Sequence, residues 1–173
     1  YQVLDKATGE DMFYRNPAIK PGLIGMRGAW FSGGIDWNAG PYSHGVTSFS
    51  PVHVTAAPED GGAMSLVIGD TDQTMGTKWC VRLTLHPDRA YLDETITLSN
   101  PADGTHTFYF WNNTAFPERE GTRFIYPMSL ASDHSAARFF RFPINDGVDL
   151  TWLRNYPDPT SLFSVDCVYG FFG

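Results

Sequence analysis

The chain has 173 residues, 42% of them apolar, and a formal charge of -7 at pH 7 from 12 Lys+Arg against 19 Asp+Glu. That length supports one domain with a sizeable core. The acidic balance excludes a general nucleic-acid binder and a protein of anionic membrane surfaces, which both need a basic face. No apolar run approaches the roughly 20 residues that span a bilayer, and no basic targeting segment opens the chain.

In chain order, Tyr1–Leu4 reads as part of a strand, so the chain is expected to begin inside an element. Arg27–Asn38 and Pro41–His44 then crowd glycines, two indoles, an arginine, a carboxylate, an amide and an imidazole into one short stretch. Glycines permit close backbone approach, and the planar polar groups of Arg27, Asp36 and Asn38 suit hydroxyls. This stretch is expected to form the lip of a binding site.

Beyond it, period-2 alternation dominates. Strands are expected at Thr47–Thr55 and Ala63–Ile68, joined by Pro58–Gly62. Trp79–Leu85 sends Trp79, Val81, Leu83 and Leu85 one way and Cys80, Arg82 and Thr84 the other. His86–Arg89 reads as a turn into Tyr91–Ser99, where Leu92, Ile96 and Leu98 oppose Asp93, Thr95 and Thr97. Asn100–Gly104 is a second turn, and Thr105–Trp111 an aromatic strand that completes an antiparallel meander. No helical period is sustained, and at most one helical turn is expected around Met128–Ala137. Twelve prolines and seventeen glycines between short strands indicate an all-β sandwich. The irregular stretch Ala115–Thr160 is a loop region of the kind that carries function. Cys80 and Cys167 both read as strand positions. They are expected to be separate half-buried thiols in a reducing compartment, hence a cytoplasmic location.

The chemistry-bearing residues point to carbohydrate. Asp36 and Glu118 form a candidate carboxylate pair, one proton donor and one base or nucleophile, as glycosidic hydrolysis requires; a turn carboxylate and a solvated loop residue are the plainer alternatives. His44, in a loop beside Tyr42 and Ser43, has a pKa range suited to acid–base work. His134 follows Asp133 in a second loop. Trp37 and Trp111 offer indole faces to stack on a sugar, although tryptophans of a sandwich also serve the core. Asn112 and Asn113 end an aromatic strand and face opposite sides, so that one reaches a ligand while the other ties down backbone. Arg27, Arg123 and Arg154 are candidate clamps for a carboxylate or hydroxyl pair; for Arg123 a local salt bridge to Glu118 or Glu120 is the alternative. No spacing suggests a metal site, and no cofactor is expected.

Several of these pieces together resemble one family. They are Asn16–Pro21, Trp30–Asn38, His44, Phe110–Ala115, Tyr126-Pro127, Asp133-His134 and Trp152–Pro159. The family is an uncharacterised bacterial domain often found in front of tetratricopeptide repeats, in the galactose-mutarotase-like superfamily. The resemblance implies an antiparallel β-supersandwich resembling galactose mutarotase, with a concave sugar-accommodating face and further C-terminal strands beyond Gly173. It also implies a helical repeat region of the same polypeptide as a partner. The chain departs from the family pattern at Asp36, where a Glu is common, and at Ser43-His44, where two histidines stand. Asn113 occupies the place of the histidine acid of aldose epimerases, and asparagine cannot donate that proton. Simple mutarotase chemistry is therefore not expected.

The resulting expectation is a single carbohydrate-active domain over residues 1–173 that hydrolyses a glycosidic bond. Asp36, His44 and Glu118 would be catalytic; Arg27, Trp37, Asn38, Trp111, Asn112, Asn113 and His134 would hold the sugar. A non-catalytic carbohydrate-binding module and a protein-interaction platform are the rival expectations.

Overall fold

A computed structural model describes residues 2–16, 22–23, 29–30, 33–39, 50–117, 119–132 and 139–155. They fall into two compact units, Tyr1–Phe116 and Pro117–Gly173. In the first unit the strands are β1 (Gly22–Leu23), β2 (Ala29–Trp30), β3 (Ile35–Asn38), β4 (His53–Pro58), β5 (Met64–Thr71), β6 (Lys78–Leu85), β7 (Leu92–Ser99) and β8 (Trp111–Thr114). In the second they are β9 (Leu130–Ser132), β10 (Phe139–Arg141), β11 (Ile144–Asn145) and β12 (Val148–Asp149). Every pairing is antiparallel. The chain is all-β, as its alternating pattern indicates.

The centre of the first unit is a four-stranded meander in the order β4-β5-β6-β7. Its register stacks Val54, Ile68, Val81 and Ile96 across the sheet, with Leu66 and Leu83 in the next row. Directly opposed side chains share a face, so these residues build one apolar side. Ile68, Val81 and Leu83 form the buried cluster, and Trp37, Val52, Trp79, Leu92 and Ile96 pack against it. Trp37 comes from β3, so the β3–β8 ribbon lies on this apolar side. The other face is mostly polar: Ser65, Thr84 and Asp93 stand in one row, and Arg82 and Thr95 beside Val67 in the next. There Ser65 Oγ lies 2.7 Å from Thr84 Oγ1, and Arg82 pairs with Glu59.

The turns follow from their residues. Asp88 takes φ 59° between β6 and β7, a left-handed conformation that Asp tolerates. After β7, the Asn100 side chain accepts from the Ala102 N–H at 3.0 Å and donates to the Gly104 carbonyl at 2.6 Å.

Several expectations change. The aromatic segment from Thr105 does not extend the meander; residues 105–110 are irregular and strand begins only at Trp111. Beyond the turn, His106 Nδ1 lies 3.3 Å from Thr77 Oγ1, at the entry to β6. The chain is thereby led across the sheet end instead of back along β7, and it finds its backbone partner in β3. The stretch Met128–Ala137, where at most one helical turn is expected, forms β9 in its described part, and the backbone groups of β9 pair with β10; residues 133–138 lie outside the described residues. The expected strand Thr47–Thr55 appears as β4, with Pro58 at the end of an edge strand where a missing N–H is tolerated; residues 47–49 lie outside the described residues. In place of the strand expected at Tyr1–Leu4, the described residues there show an isolated Leu4–Asp11 bridge, and Tyr1 lies outside the described residues. Cys80 is a free, half-buried thiol in β6, as expected; Cys167 and the aromatic tail lie outside the described residues.

Gly69 faces Cys80 at a point of close backbone approach. A Cβ there would lie 2.7 Å from the Trp79 carbonyl oxygen. Gly69→Ala is expected to force the β5–β6 pair apart and cost about 1–3 kcal/mol, as overpacking does, read as a lower urea midpoint; an unchanged midpoint would contradict this close packing.

Candidate ligand-binding face

The site is built on the β3–β8 ribbon, whose register pairs Ile35 with Thr114, Asp36 with Asn113, Trp37 with Asn112 and Asn38 with Trp111. The ribbon is braced at one end by three backbone bonds. Ala115 N donates to Gly34 O at 2.8 Å, Gly34 N to Tyr14 O at 3.4 Å, and Tyr14 N to Ala115 O at 2.9 Å. Gly34 has φ 65° there, which a glycine adopts without steric cost.

Alternation divides the paired residues between two faces. Trp37 and Asn112 point to the four-stranded sheet, where both donate to one carboxylate: Trp37 Nε1 lies 2.9 Å and Asn112 Nδ2 3.2 Å from Glu94 Oε1. Glu94 stands on the apolar side of β7, directly opposite Leu83. An acid in that row is costly unless hydrogen-bonded, and the two donors supply the bonds. Sequence reading passed over Glu94. Its signal was present, since it shares the parity of Leu92, Ile96 and Leu98 and breaks their apolar row.

Asp36, Asn38, Asn113 and Trp111 share the opposite face. Asn38 Nδ2 donates to Asp36 Oδ2 at 2.8 Å. Trp111 packs on Tyr109, ring centroids 4.9 Å apart and planes inclined at 47°. The face is graded in depth: Asn38 is only 4% exposed, Asp36 and Trp111 are half-buried, and Asn113 and Tyr109 are open to solvent. Asn38 Oδ1 is buried and accepts no hydrogen bond among the described residues. Carboxylate and amide groups beside a tilted aromatic pair present hydrogen-bonding groups next to an apolar platform, the combination found in polar small-molecule sites.

Four residues expected at the site are thus gathered on one face, and two, Trp37 and Asn112, are placed on the other. The division of Asn112 and Asn113 between backing and exposed faces is the one their adjacent positions demand. Arg27, His44, Glu118 and His134 lie outside the described residues.

In the second unit Glu118 lies outside the described residues, and Arg123 reaches across to the segment after β12. Its Nη2 donates to Thr151 Oγ1 at 2.6 Å, and that hydroxyl donates to Asp149 Oδ1 at 2.7 Å. The guanidinium carbons of Arg123 and Arg154 lie 4.4 and 4.2 Å from the Trp152 ring centroid. The Thr151 hydroxyl is the main cause holding the Asp149 carboxyl below the ordinary aspartate range. The Thr151 N–H adds to it and partial desolvation opposes it, with smaller contributions from Arg123 and Arg154. A depression of about 640 Å³ between β9, β10 and β11 is lined by Leu130, Phe139, Phe140, Arg141, Ile144, Asn145 and Asp146. None of the expected site residues among the described residues lines it.

Fold and face together define an antiparallel all-β domain with a carboxylate–amide–aromatic surface. The chain belongs to the DUF5107 family, a domain of unknown function, which it matches over residues 1–170. No solved structure matches it.

Two outcomes are expected from these contacts. Glu94→Ala removes the acceptor of the half-buried Trp37 N–H and is expected to destabilise by about 1–3 kcal/mol, whereas Glu94→Gln retains an acceptor and is expected to cost less; chemical denaturation of both variants checks this order. The lowered Asp149 pKa stabilises the fold above the ordinary aspartate value, and this contribution is lost as pH falls through the folded value. Thr151→Val is therefore expected to raise the Asp149 titration, read by carboxyl NMR, and to move acid unfolding to higher pH.

Proposed function

We propose that this chain is a carbohydrate-active domain and that the Asp36, Asn38, Asn113 and Trp111 face of the β3–β8 ribbon contacts the sugar. The observation that carries the reading is the juxtaposition on that face of planar hydrogen-bonding groups and the Tyr109–Trp111 pair. Sugar rings present hydroxyls at their edges and C–H surface on their faces, and this surface offers a counterpart to each. The acidic net charge favours neutral or donor-rich saccharides over polyanions. The galactose-mutarotase-like resemblance read from the sequence supports the same ligand class.

In its catalytic form the proposal is hydrolysis of a glycosidic bond. Asp36 takes the proton of the attacking water or attacks the anomeric carbon itself, and His44 or Glu118 protonates the departing oxygen. Asn38, Asn113, Trp111, Arg27 and His134 hold the sugar. Trp37 and Asn112 act through the ribbon, by fixing it on Glu94. Binding without turnover is the second form, favoured by Asn38 Nδ2, which already occupies Asp36 Oδ2 as an acceptor. A cytoplasmic location belongs to the same proposal, as does a helical repeat region of the same polypeptide as partner. The partner reading is favoured by the apolar sheet face, where Val54, Met64, Leu66 and Leu85 remain 39–58% exposed.

The test is a thermal-shift screen of the intact protein against mono- and oligosaccharides, with product analysis of each hit. A sugar that binds only the folded state raises Tm by mass action. A hit is expected, and Asp36→Asn is expected to lower turnover about 100-fold or more, in the range of lost acid–base catalysis. Cleavage unaffected by Asp36→Asn removes Asp36 from the chemistry. A hit without products favours the binding module, and no shift across the panel sinks the carbohydrate reading.

A further inference from the structure

Backbone pairing in the second unit fixes where Arg123 and Trp152 stand. Phe124 N donates to Thr151 O at 2.7 Å and Leu153 N to Thr122 O at 3.2 Å, which sets Arg123 opposite Trp152 across an antiparallel bridge. Opposed residues share a face, so the Arg123 side chain meets the indole. Arg154 reaches the same ring, and the two guanidinium carbons lie 4.4 and 4.2 Å from its centroid. Two arginines that the sequence offers as separate candidate clamps are thereby brought to one place. The hydrogen bonds that hold this segment do not use the Arg154 guanidinium: Asn155 N donates to Trp152 O at 3.0 Å, and Asn155 Nδ2 to Asp149 O at 2.7 Å. Among the described residues the Arg154 guanidinium has no hydrogen-bond or ion-pair partner, and the residue is exposed. Arg123 commits Nη2 to Thr151. Its side chain remains 42% exposed, and its other N–H groups have no partner among the described residues.

The charges at this ring do not balance. Acids are plentiful in the chain, 19 Asp+Glu against 12 Lys+Arg, yet among the described residues one carboxylate lies within ion-pair distance of the two guanidiniums. It is Asp149, whose Oδ2 is 4.0 Å from Arg123 Nη2. One cation on the indole gains the cation–π attraction; a second at the same ring is repelled by the first. The pair is left with one uncompensated positive charge. Guanidinium N–H forks match the two oxygens of a carboxylate. We infer that Arg123 and Arg154, held at Trp152, form a binding site for one carboxylate group of a ligand. A monoanion balances the pair together with Asp149, whereas a phosphate dianion places excess negative charge beside that acid. The indole is taken up by the two guanidiniums, so the site reads the carboxylate and does not stack a ligand ring. This assignment is argued from the second unit alone and does not rest on the β3–β8 face.

The probes are matched pairs that differ by the carboxylate: methyl glucuronide against methyl glucoside, and N-acetylalanine against its amide. Inorganic phosphate is a further arm. Each is titrated into the intact protein at low salt, and binding is read from the Nε–H NMR signals of Arg123 and Arg154. At least one carboxylate is expected to shift both signals and to bind about tenfold more tightly than its neutral partner, the scale of a charge-assisted hydrogen bond. It is also expected to bind more tightly than phosphate and to weaken as salt is added. The pair that responds tells a sugar acid from a peptide terminus. Arg154→Met keeps an apolar chain at the ring and is expected to retain Tm while binding the carboxylate about tenfold more weakly. Arg154→Lys keeps the charge without the fork and is expected to bind between the two. The assignment is overturned if no carboxylate outbinds its neutral partner, if phosphate outbinds both carboxylates, or if Arg154→Met binds as tightly as wild type. A Tm fall in both Arg154 variants marks the arginine as a structural group and overturns it too.

Discussion

The grip of Trp37 and Asn112 on the Glu94 carboxylate is the contact on which the candidate site depends. The β3–β8 ribbon is only four residues wide on each strand, too short to hold its own position by backbone bonds alone. Its indole fills space over Ile68, Val81 and Leu83, and the Nε1–H fixes its angle by bonding Glu94 at 2.9 Å. Apolar burial supplies the attraction and is indifferent to direction. The two hydrogen bonds supply direction. With Trp37 and Asn112 turned inward, alternation turns Asp36, Asn38, Asn113 and Trp111 outward.

This coupling explains why a polar side chain stands in the apolar row of β7. A leucine at position 94 would continue the pattern of Leu92, Ile96 and Leu98, yet it would leave the Trp37 and Asn112 donors without an acceptor. The buried oxygen of Asn38 is the reverse situation on the other face. There an acceptor is retained that no described donor satisfies, while the amide nitrogen of the same side chain serves Asp36.

The two units illustrate different balances of forces. The first is organised by a continuous apolar row through four strands. The second has short hairpins of two or three residues per strand. Its polar interactions form a chain in which Arg123 serves Thr151 and Thr151 serves Asp149. The Asp149 carboxyl is shifted below the ordinary aspartate range chiefly by the Thr151 hydroxyl and N–H, with smaller contributions from the charges of Arg123 and Arg154.

The parts of the fold legible in the sequence are those encoded by neighbours along the chain. β5, β6 and β7, the inward and outward residues of β6, the turns at His86–Arg89 and Asn100–Gly104, and the opposite directions of Asn112 and Asn113 all follow from period-2 alternation and turn chemistry. These signals are local, because successive strand residues must face opposite sides whatever the strand pairs with. The sequence likewise marked Asp36, Asn38 and Trp111 as polar and aromatic groups of one kind of surface. Tertiary structure alone decided that Ile35–Asn38 pairs with Trp111–Thr114, that the aromatic run from Thr105 leaves the meander, and that Glu94 receives both donors. Any extended segment offers the same backbone N–H and C=O groups, so partner and register between distant strands are chosen by side-chain packing in three dimensions. Which face of Asp36-Trp37-Asn38 meets the core is settled only when the Trp37 indole finds its place beside Glu94.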